Sequence, residues 1–246
     1  MLHTPNTASN SKTRAAAHAA DFYLTTLLDA GDLSDCANEP LAVLQRIGTL
    51  KTFMKDDVIF HEGEANNNVY YVLSGVIRTS QILADGRRLV AKFIYPGELL
   101  DYDSARLSPY TAEAISPLSV LSISKKLLER QLDTTPILRD YLMETLLKEL
   151  QEAQSQVLAL GRLTAIERVT YFLNVVSEKL GSDKDGAVQL PMSRMDIADH
   201  LGLTIETVSR VISRLKREGQ ISLLPQNRFV IKDSDDFAED FWALEM

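Results

Sequence analysis

The spacing of hydrophobic residues changes character several times along the chain. From Asp21 to Leu50, leucine-rich stretches broken by Asp29, Gly31, Asp32 and Pro40 predict two short helices. From Lys51 the pattern shortens into runs rich in β-branched and aromatic residues: Val58 to Phe60, Val69 to Leu73, Val76 with Ile77, Leu89 to Ile94, and Leu118 to Ile123. Gly63, Gly75, the Asp85-Gly86 pair and the Pro96-Gly97 pair separate these runs. Short strands at even spacing, with an Asp-Gly turn between two of them, predict an antiparallel roll over about 51–124 rather than a parallel sheet crossed by helices.

Helical spacing returns from Lys125 to Leu163. Leu138, Leu142, Leu146, Leu150, Ala153, Val157 and Leu160 recur every three or four residues along one long helix. The intervening Glu, Lys and Gln are too polar for a helix buried on all sides. The expectation is a seam between two copies of the chain, running through Leu142, Leu146, Leu150, Ala153, Val157 and Leu160, with packing on its own domain as the alternative. Gly161 to Leu180 predicts another helix, closed by Gly181 and the polar loop Ser182 to Gly186. Val188 to Leu190 reads as a strand placed just before residue 193.

Residues 193–219, SRMDIADHLGLTIETVSRVISRLKREG, carry the chemistry. Ser193 with Asp196 three residues on is a capping-box start. Gly202 permits a tight turn, Thr204 caps a second helix and Gly219 ends it. Ile197, Ala198, Leu201, Leu203, Val208, Val211, Ile212 and Leu215 form an inward set, which leaves Ile205, Glu206, Ser209, Arg210, Ser213 and Arg217 facing outward. This is the pattern of a helix-turn-helix, whose second helix offers its first turns to base edges in the major groove. Glu206 can accept from a cytosine amino group, Arg210 can pair bidentately with guanine, and Ser209 can bond a base or sit beside a thymine methyl. Ser193, Arg194, Lys216, Arg217 and Arg228 are candidates for phosphate contacts, and Thr204, Ile205, Thr207 and Ser213 complete the surface offered to double-stranded DNA. The alternative is a solvated helix pair in which Glu206 and Arg210 merely form an i,i+4 ion pair. Ile221 to Leu224, a Pro225-Gln226-Asn227 turn and Phe229 to Ile231 predict a wing hairpin.

Net charge sharpens this reading. The chain carries −8 overall, but Leu190 to Lys232 holds seven basic residues against four acidic ones, so the basic surplus is concentrated on the segment expected to meet phosphate. No apolar run reaches the roughly 18 residues a membrane helix needs. The first 20 residues lack a secretory signal pattern, and the single cysteine, Cys36, forms no internal disulfide, which fits a cytoplasmic protein. A redox role for Cys36 is chemically open, although a lone cysteine is more often incidental. No nucleophile, base and orienting residue stand at recognisable spacing, and no Walker or dinucleotide fingerprint is present, so an enzyme is not expected.

Taken together, Phe60-His61-Glu62-Gly63, Leu73-Ser74-Gly75, Pro96-Gly97-Glu98 and the Glu206-Thr207-Val208-Ser209-Arg210 motif make the sequence resemble the Crp/Fnr family of transcription regulators. The resemblance implies an α+β chain: an N-terminal antiparallel β-roll of the cyclic-nucleotide-binding, jelly-roll kind, a long dimerisation helix, and a C-terminal winged helix-turn-helix. The expected divisions are a flexible arm (1–20), a sensor-type roll with flanking helices (21–137), the dimerisation helix (138–163) and the DNA-binding domain with an acidic tail (164–246). Glu206, Ser209 and Arg210 match the Fnr-type reading pattern, whereas the cyclic-AMP receptor branch has arginine where Ile205 stands and glycine where Ser209 stands. A TTGAT/ATCAA-like palindrome, read by a homodimer that recruits RNA polymerase, is what this implies. The Ala84 to Arg87 turn and the Leu160 to Thr164 surface are the candidate polymerase contacts.

The sensor features of the family are missing from the sequence. Cyclic-AMP binding in the family needs a Gly-Glu pair just after the Pro-Gly-Glu turn, where Leu100 to Asp103 stands, and an Arg-Ser pair before the last roll strand, where Leu107 to Tyr110 stands, so Asp101 and Asp103 would repel the phosphate. One cysteine cannot supply the four ligands of an iron-sulfur cluster. No cyclic nucleotide and no cofactor are therefore expected. Haem ligation by one of His3, His18, His61 or His200 is the alternative, as in nitric-oxide-responsive relatives; otherwise His61 supports a roll turn. The likeness is strongest to the FixK branch, which implies an activator of microaerobic and nitrogen-fixation genes. An alternative from a different class is a ligand-binding module with vestigial DNA binding.

Overall fold

The computed structural model of the protein describes residues 39–102 and 107–232. The N-terminal arm, the first of the two helices expected before Leu50, His3, His18, Cys36, Asp103 and the acidic tail lie outside the described residues. The chain divides into two compact units, Met1–Gln154 and Ser155–Met246.

In the first unit, helix α1 (Pro40–Ile47) starts on Pro40, whose missing N–H is harmless in a first turn. Among the described residues eight strands follow: β1 (Thr49–Phe53), β2 (Val58–Phe60), β3 (Asn68–Ser74), β4 (Ile77–Ile82), β5 (Arg88–Ile94), β6 (Leu99–Leu100), β7 (Thr111–Ala114) and β8 (Leu118–Ser124). They form two antiparallel four-stranded sheets, ordered β1-β8-β3-β6 and β2-β7-β4-β5. β3 is buried on both faces. Tyr70 and Val72 meet Ile77, Ile94, Leu118 and Val120 between the sheets, while Val69, Tyr71 and Leu73 pack with Val43, Leu44, Leu128 and Leu138 from the helices. Two-sided burial explains why β3 is written as a continuous apolar run instead of an alternating one. At Gly75 the chain turns with φ +87°, and an added Cβ would collide with the Pro117 carbonyl oxygen, so only glycine fits.

The helical stretch expected from Lys125 to Leu163 is in fact two helices, α2 (Lys125–Thr134) and α3 (Pro136–Arg162). Thr135 sits between them at φ −127°, ψ 89°, because the following proline excludes the helical region for the residue before it.

The leucine row on α3 also needs correction. Leu138 is fully buried in the roll's outer core, and Leu142 packs against it. Steps of four residues overshoot a 3.6-residue turn by about 40°, so the row from Leu138 through Leu142 and Leu146 winds from the roll face onto open surface. The uncovered stripe runs instead through Met143, Leu147, Leu150, Gln154, Val157 and Gly161, in alternating steps of four and three. Leu147, Leu150 and Val157 are 54%, 55% and 70% exposed. Leu146, Ala153 and Leu160 flank the stripe, whereas Leu142 belongs mainly to the roll.

The second unit contains the end of α3, then α4 (Ala165–Leu180), β9 (Val188–Gln189), α5 (Arg194–Leu201), α6 (Ile205–Arg217), β10 (Ile221–Leu224) and β11 (Arg228–Ile231). α4 begins one turn later than expected, on a Thr164 and Glu167 capping box whose hydrogen bonds hold the Glu167 carboxyl below its ordinary pKa. The hairpin β10-β11 and strand β9 form one three-stranded sheet, as the wing reading anticipates. Val169, Phe172, Leu173, Ile197, Leu201, Val208, Ile212, Leu215 and Phe229 are buried among these elements. Among the described residues, no helix is long and apolar enough to cross a membrane.

Candidate nucleic-acid interface

Each helix of the reading unit starts on a hydroxyl. Ser193 caps α5: its Oγ accepts the Asp196 N–H at 3.1 Å and donates to Asp196 Oδ2 at 2.7 Å, while its own N–H donates to that same oxygen at 2.9 Å. The donors of Ser193 are thus engaged inside the protein. This removes it from the phosphate contacts and makes it a structural cap. Ser193→Ala is expected to lower domain stability by about 1 kcal/mol, read as a shifted thermal unfolding midpoint.

Gly202 makes the turn at φ 63°, ψ 37°, and Thr204 Oγ1 accepts the Thr207 N–H at 3.2 Å to open α6. Thr204 and Thr207 also join through their hydroxyls at 3.1 Å. Val208, Ile212 and Leu215 are buried, whereas Leu203 and Val211 are only half-buried at the margin. Glu206, Ser209, Arg210, Ser213, Lys216 and Arg217 are exposed, and Ile205 is half-buried at the start of the same face. Ser213 Oγ donates to the Ser209 carbonyl at 2.8 Å, so this hydroxyl is directed along the helix.

Glu206 has its pKa lowered first by its own backbone N–H, then by the Thr204 hydroxyl, with Arg210 contributing least. Among the described residues no ion pair joins Glu206 to Arg210. The i,i+4 pair that would make this face inert is therefore not formed. An ionised acceptor and a guanidinium stand on the first two turns of an exposed helix, with a small hydroxyl residue between them.

Arg194 opens α5 half-buried, and desolvation pulls its pKa down with no counter-charge acting on it. A desolvated cation without a carboxylate beside it is suited to take a phosphate. Arg228 is placed differently from the expectation: its Nη1 donates to Asp183 Oδ2 at 2.9 Å.

The family described as Crp-like helix-turn-helix domain matches residues 167–239, and that described as cyclic nucleotide-binding domain matches residues 50–135. The chain is 35% identical over 223 residues to the nitrogen fixation regulation protein FixK of Azorhizobium caulinodans, an alignment covering 89% of this chain and 90% of that protein. The chain belongs to the Crp/Fnr family of transcription regulators. Another Crp/Fnr relative, the transcriptional activator protein FnrL of Cereibacter sphaeroides, is 29% identical, covering 80% of this chain and 82% of that one. The structure of FixK2 from Bradyrhizobium japonicum superposes with a TM-score of 0.72 at 34% identity, covering 78% of this chain and 96% of that one.

In the described part of the roll, the two stretches compared with the nucleotide-binding motif are taken up by internal contacts. Asp101, at φ 63°, is buried, ion-paired to Lys125 at 3.2 Å and hydrogen-bonded by Asn66. The expected repulsion from Asp101 is thereby corrected: its charge points inward and is compensated by Lys125. Ser108 is buried, and the Tyr110 ring lies tilted against Phe60 with centroids 6.0 Å apart. His61 is exposed on a turn closed by Glu64, and His200 packs its ring 5.7 Å from Phe172 in the reading unit.

Three residues with positioning parts escape the sequence reading. Arg168 donates to the carbonyls of Leu160 (2.8 Å), Leu163 (3.0 Å) and Leu201 (3.1 Å), joining the end of α3 to the end of α5 through carbonyls that helix ends leave unpaired. Asp183 holds Arg228. On the roll, Glu149 of α3 accepts from Lys92 Nζ at 2.7 Å and from the Tyr102 hydroxyl. These are pairs between distant segments, for which the only local signal is a charged residue in a loop or beside an apolar row.

Proposed function

We propose that the chain is a DNA-binding transcription activator that works as a homodimer on a TTGAT/ATCAA-like palindrome. Glu206, Ser209 and Arg210 read bases, while Arg194, Lys216 and Arg217 hold phosphates. The observation that carries this reading is the exposed, outward set of Glu206, Ser209 and Arg210 on the first turns of α6, with no ion pair closing Glu206 onto Arg210. The exposed stripe on α3 supports the dimer, since two copies of a helix-turn-helix on a shared axis match a two-fold operator. Likeness to nitrogen fixation regulation proteins supports control of nitrogen-fixation genes; microaerobic control and a cytoplasmic setting are part of the same proposal. The exposed β4-β5 turn, where Asp85 and Arg87 pair at 2.8 Å, and the Leu160 to Thr164 surface are the faces offered to RNA polymerase.

Fluorescence anisotropy with three duplexes tests this: the full palindrome, a single half-site and a scrambled sequence, all at one salt concentration. The full palindrome should bind at least about 1,000-fold more tightly than the scrambled duplex. Equal affinity for all three, from a protein that sediments as a folded dimer, would overturn the reading.

A further inference from the structure

The wing of this protein is tied down at its tip. Gln226 and Asn227 both adopt left-handed backbone, φ 62° and φ 55°, and form the β10-β11 turn. The Gln226 carbonyl accepts from Gln189 Nε2 at 2.9 Å, and the Asn227 carbonyl accepts from the Leu190 N–H at 2.8 Å. Next to them, Arg228 Nη1 reaches Asp183 in the loop between α4 and β9. The Asp183 carboxylate accepts three hydrogen bonds: Oδ1 takes the N–H groups of Asp185 (2.9 Å) and Ala187 (3.0 Å), and Oδ2 takes Arg228. Those bonds hold its pKa below the ordinary aspartate value, the backbone N–H groups contributing most. Arg228 Nε is buried without a hydrogen-bond partner, so the inner edge of the guanidinium lies against the protein while 32% of the side chain stays exposed.

We infer that Asp183 and Arg228 form a single positioning unit that sets the wing at the height needed to meet the DNA backbone, and that Arg228 is not itself a phosphate ligand. This rests on the DNA-binding function proposed for the chain. The two roles for Arg228 differ in electrostatic sign. A phosphate-binding Arg228 competes with Asp183, so neutralising Asp183 frees a cation and removes a repulsive charge, and both effects strengthen binding. A positioning Arg228 depends on Asp183, so neutralising Asp183 weakens binding against the direction of bulk electrostatics.

The test uses the full-length protein and the full palindrome. Arg228→Ala, Asp183→Asn and the double variant are titrated over a range of salt, with thermal midpoints confirming that each is folded. Asp183→Asn keeps an acceptor for the Asp185 and Ala187 N–H groups and deletes only the ion pair. Each single variant should weaken operator binding about threefold, the double variant no further, with the salt slope unchanged. Unchanged or stronger binding by Asp183→Asn, a salt slope lower by about one in Arg228→Ala, or additive losses in the double variant would each overturn the inference. Should the unmodified protein fail to prefer the palindrome over scrambled DNA, the DNA-binding reading falls first and the inference with it.

Discussion

Replacing Leu147 and Leu150 together by lysine should convert the protein into a folded monomer and weaken binding to the full palindrome by about a hundredfold or more. Both leucines are more than half exposed on the isolated chain, so their loss leaves the core of the protomer intact. In a two-helix seam they face each other across the axis, and four added ammonium groups there would oppose association. Once the dimer is lost, the second half-site contact is no longer held at high effective concentration. Binding to a single half-site should scarcely change. Sedimentation gives the oligomeric state, and circular dichroism confirms the fold. A variant that remains dimeric would mean that the stripe on α3 is not the seam.

Arg210→Ala should reduce affinity for the palindrome by about 10- to 100-fold, or 1–3 kcal/mol, and relax selection at one guanine, with little change on random DNA. Arg210 stands on the outward face of a capped helix and is not tied to Glu206, so its two parallel donors are available to a base edge. Lys216→Ala, near the far end of the same helix, should weaken specific and random duplexes alike and lower the salt slope by about one. Measuring both variants on both duplexes over a salt series separates the roles. Equal losses by both variants on both duplexes would show that Arg210 reads no base.

What could be read from the sequence was what local chemistry determines. Gly75 and Gly202 mark turns because their backbone needs left-handed φ, and Ser193 and Thr204 mark helix starts because their hydroxyls accept orphan amides. The outward face of α6 could be read because burial of Val208, Ile212 and Leu215 follows from 3.6-residue periodicity. Strand β7 escaped because Thr111 to Ala114 has little intrinsic strand preference; it is a strand because β2 and β4 pair with it on either side, with Ala112 and Ala114 fully buried. β1 escaped for the opposite reason: Thr49 to Thr52 are exposed and carry no apolar alternation. The true line of the α3 stripe was hidden because leucines serving the roll and leucines left open belong to one sequence row. The parts played by Arg228 and Asp101 depend on partners 45 and 24 residues away, which no periodicity records.

The winding of that leucine row also bears on how such a protein is regulated. Leu138 and Leu142 seat α3 on its own roll, so a protomer completes its core before meeting a second copy. For the dimer proposed above, pairing is then a separate, second-order step. At low abundance the population able to grip an operator rises with the square of the amount synthesised, so doubling production raises it about fourfold. On that proposal, operator occupancy at low abundance answers more steeply to the amount of protein made than a monomer's would.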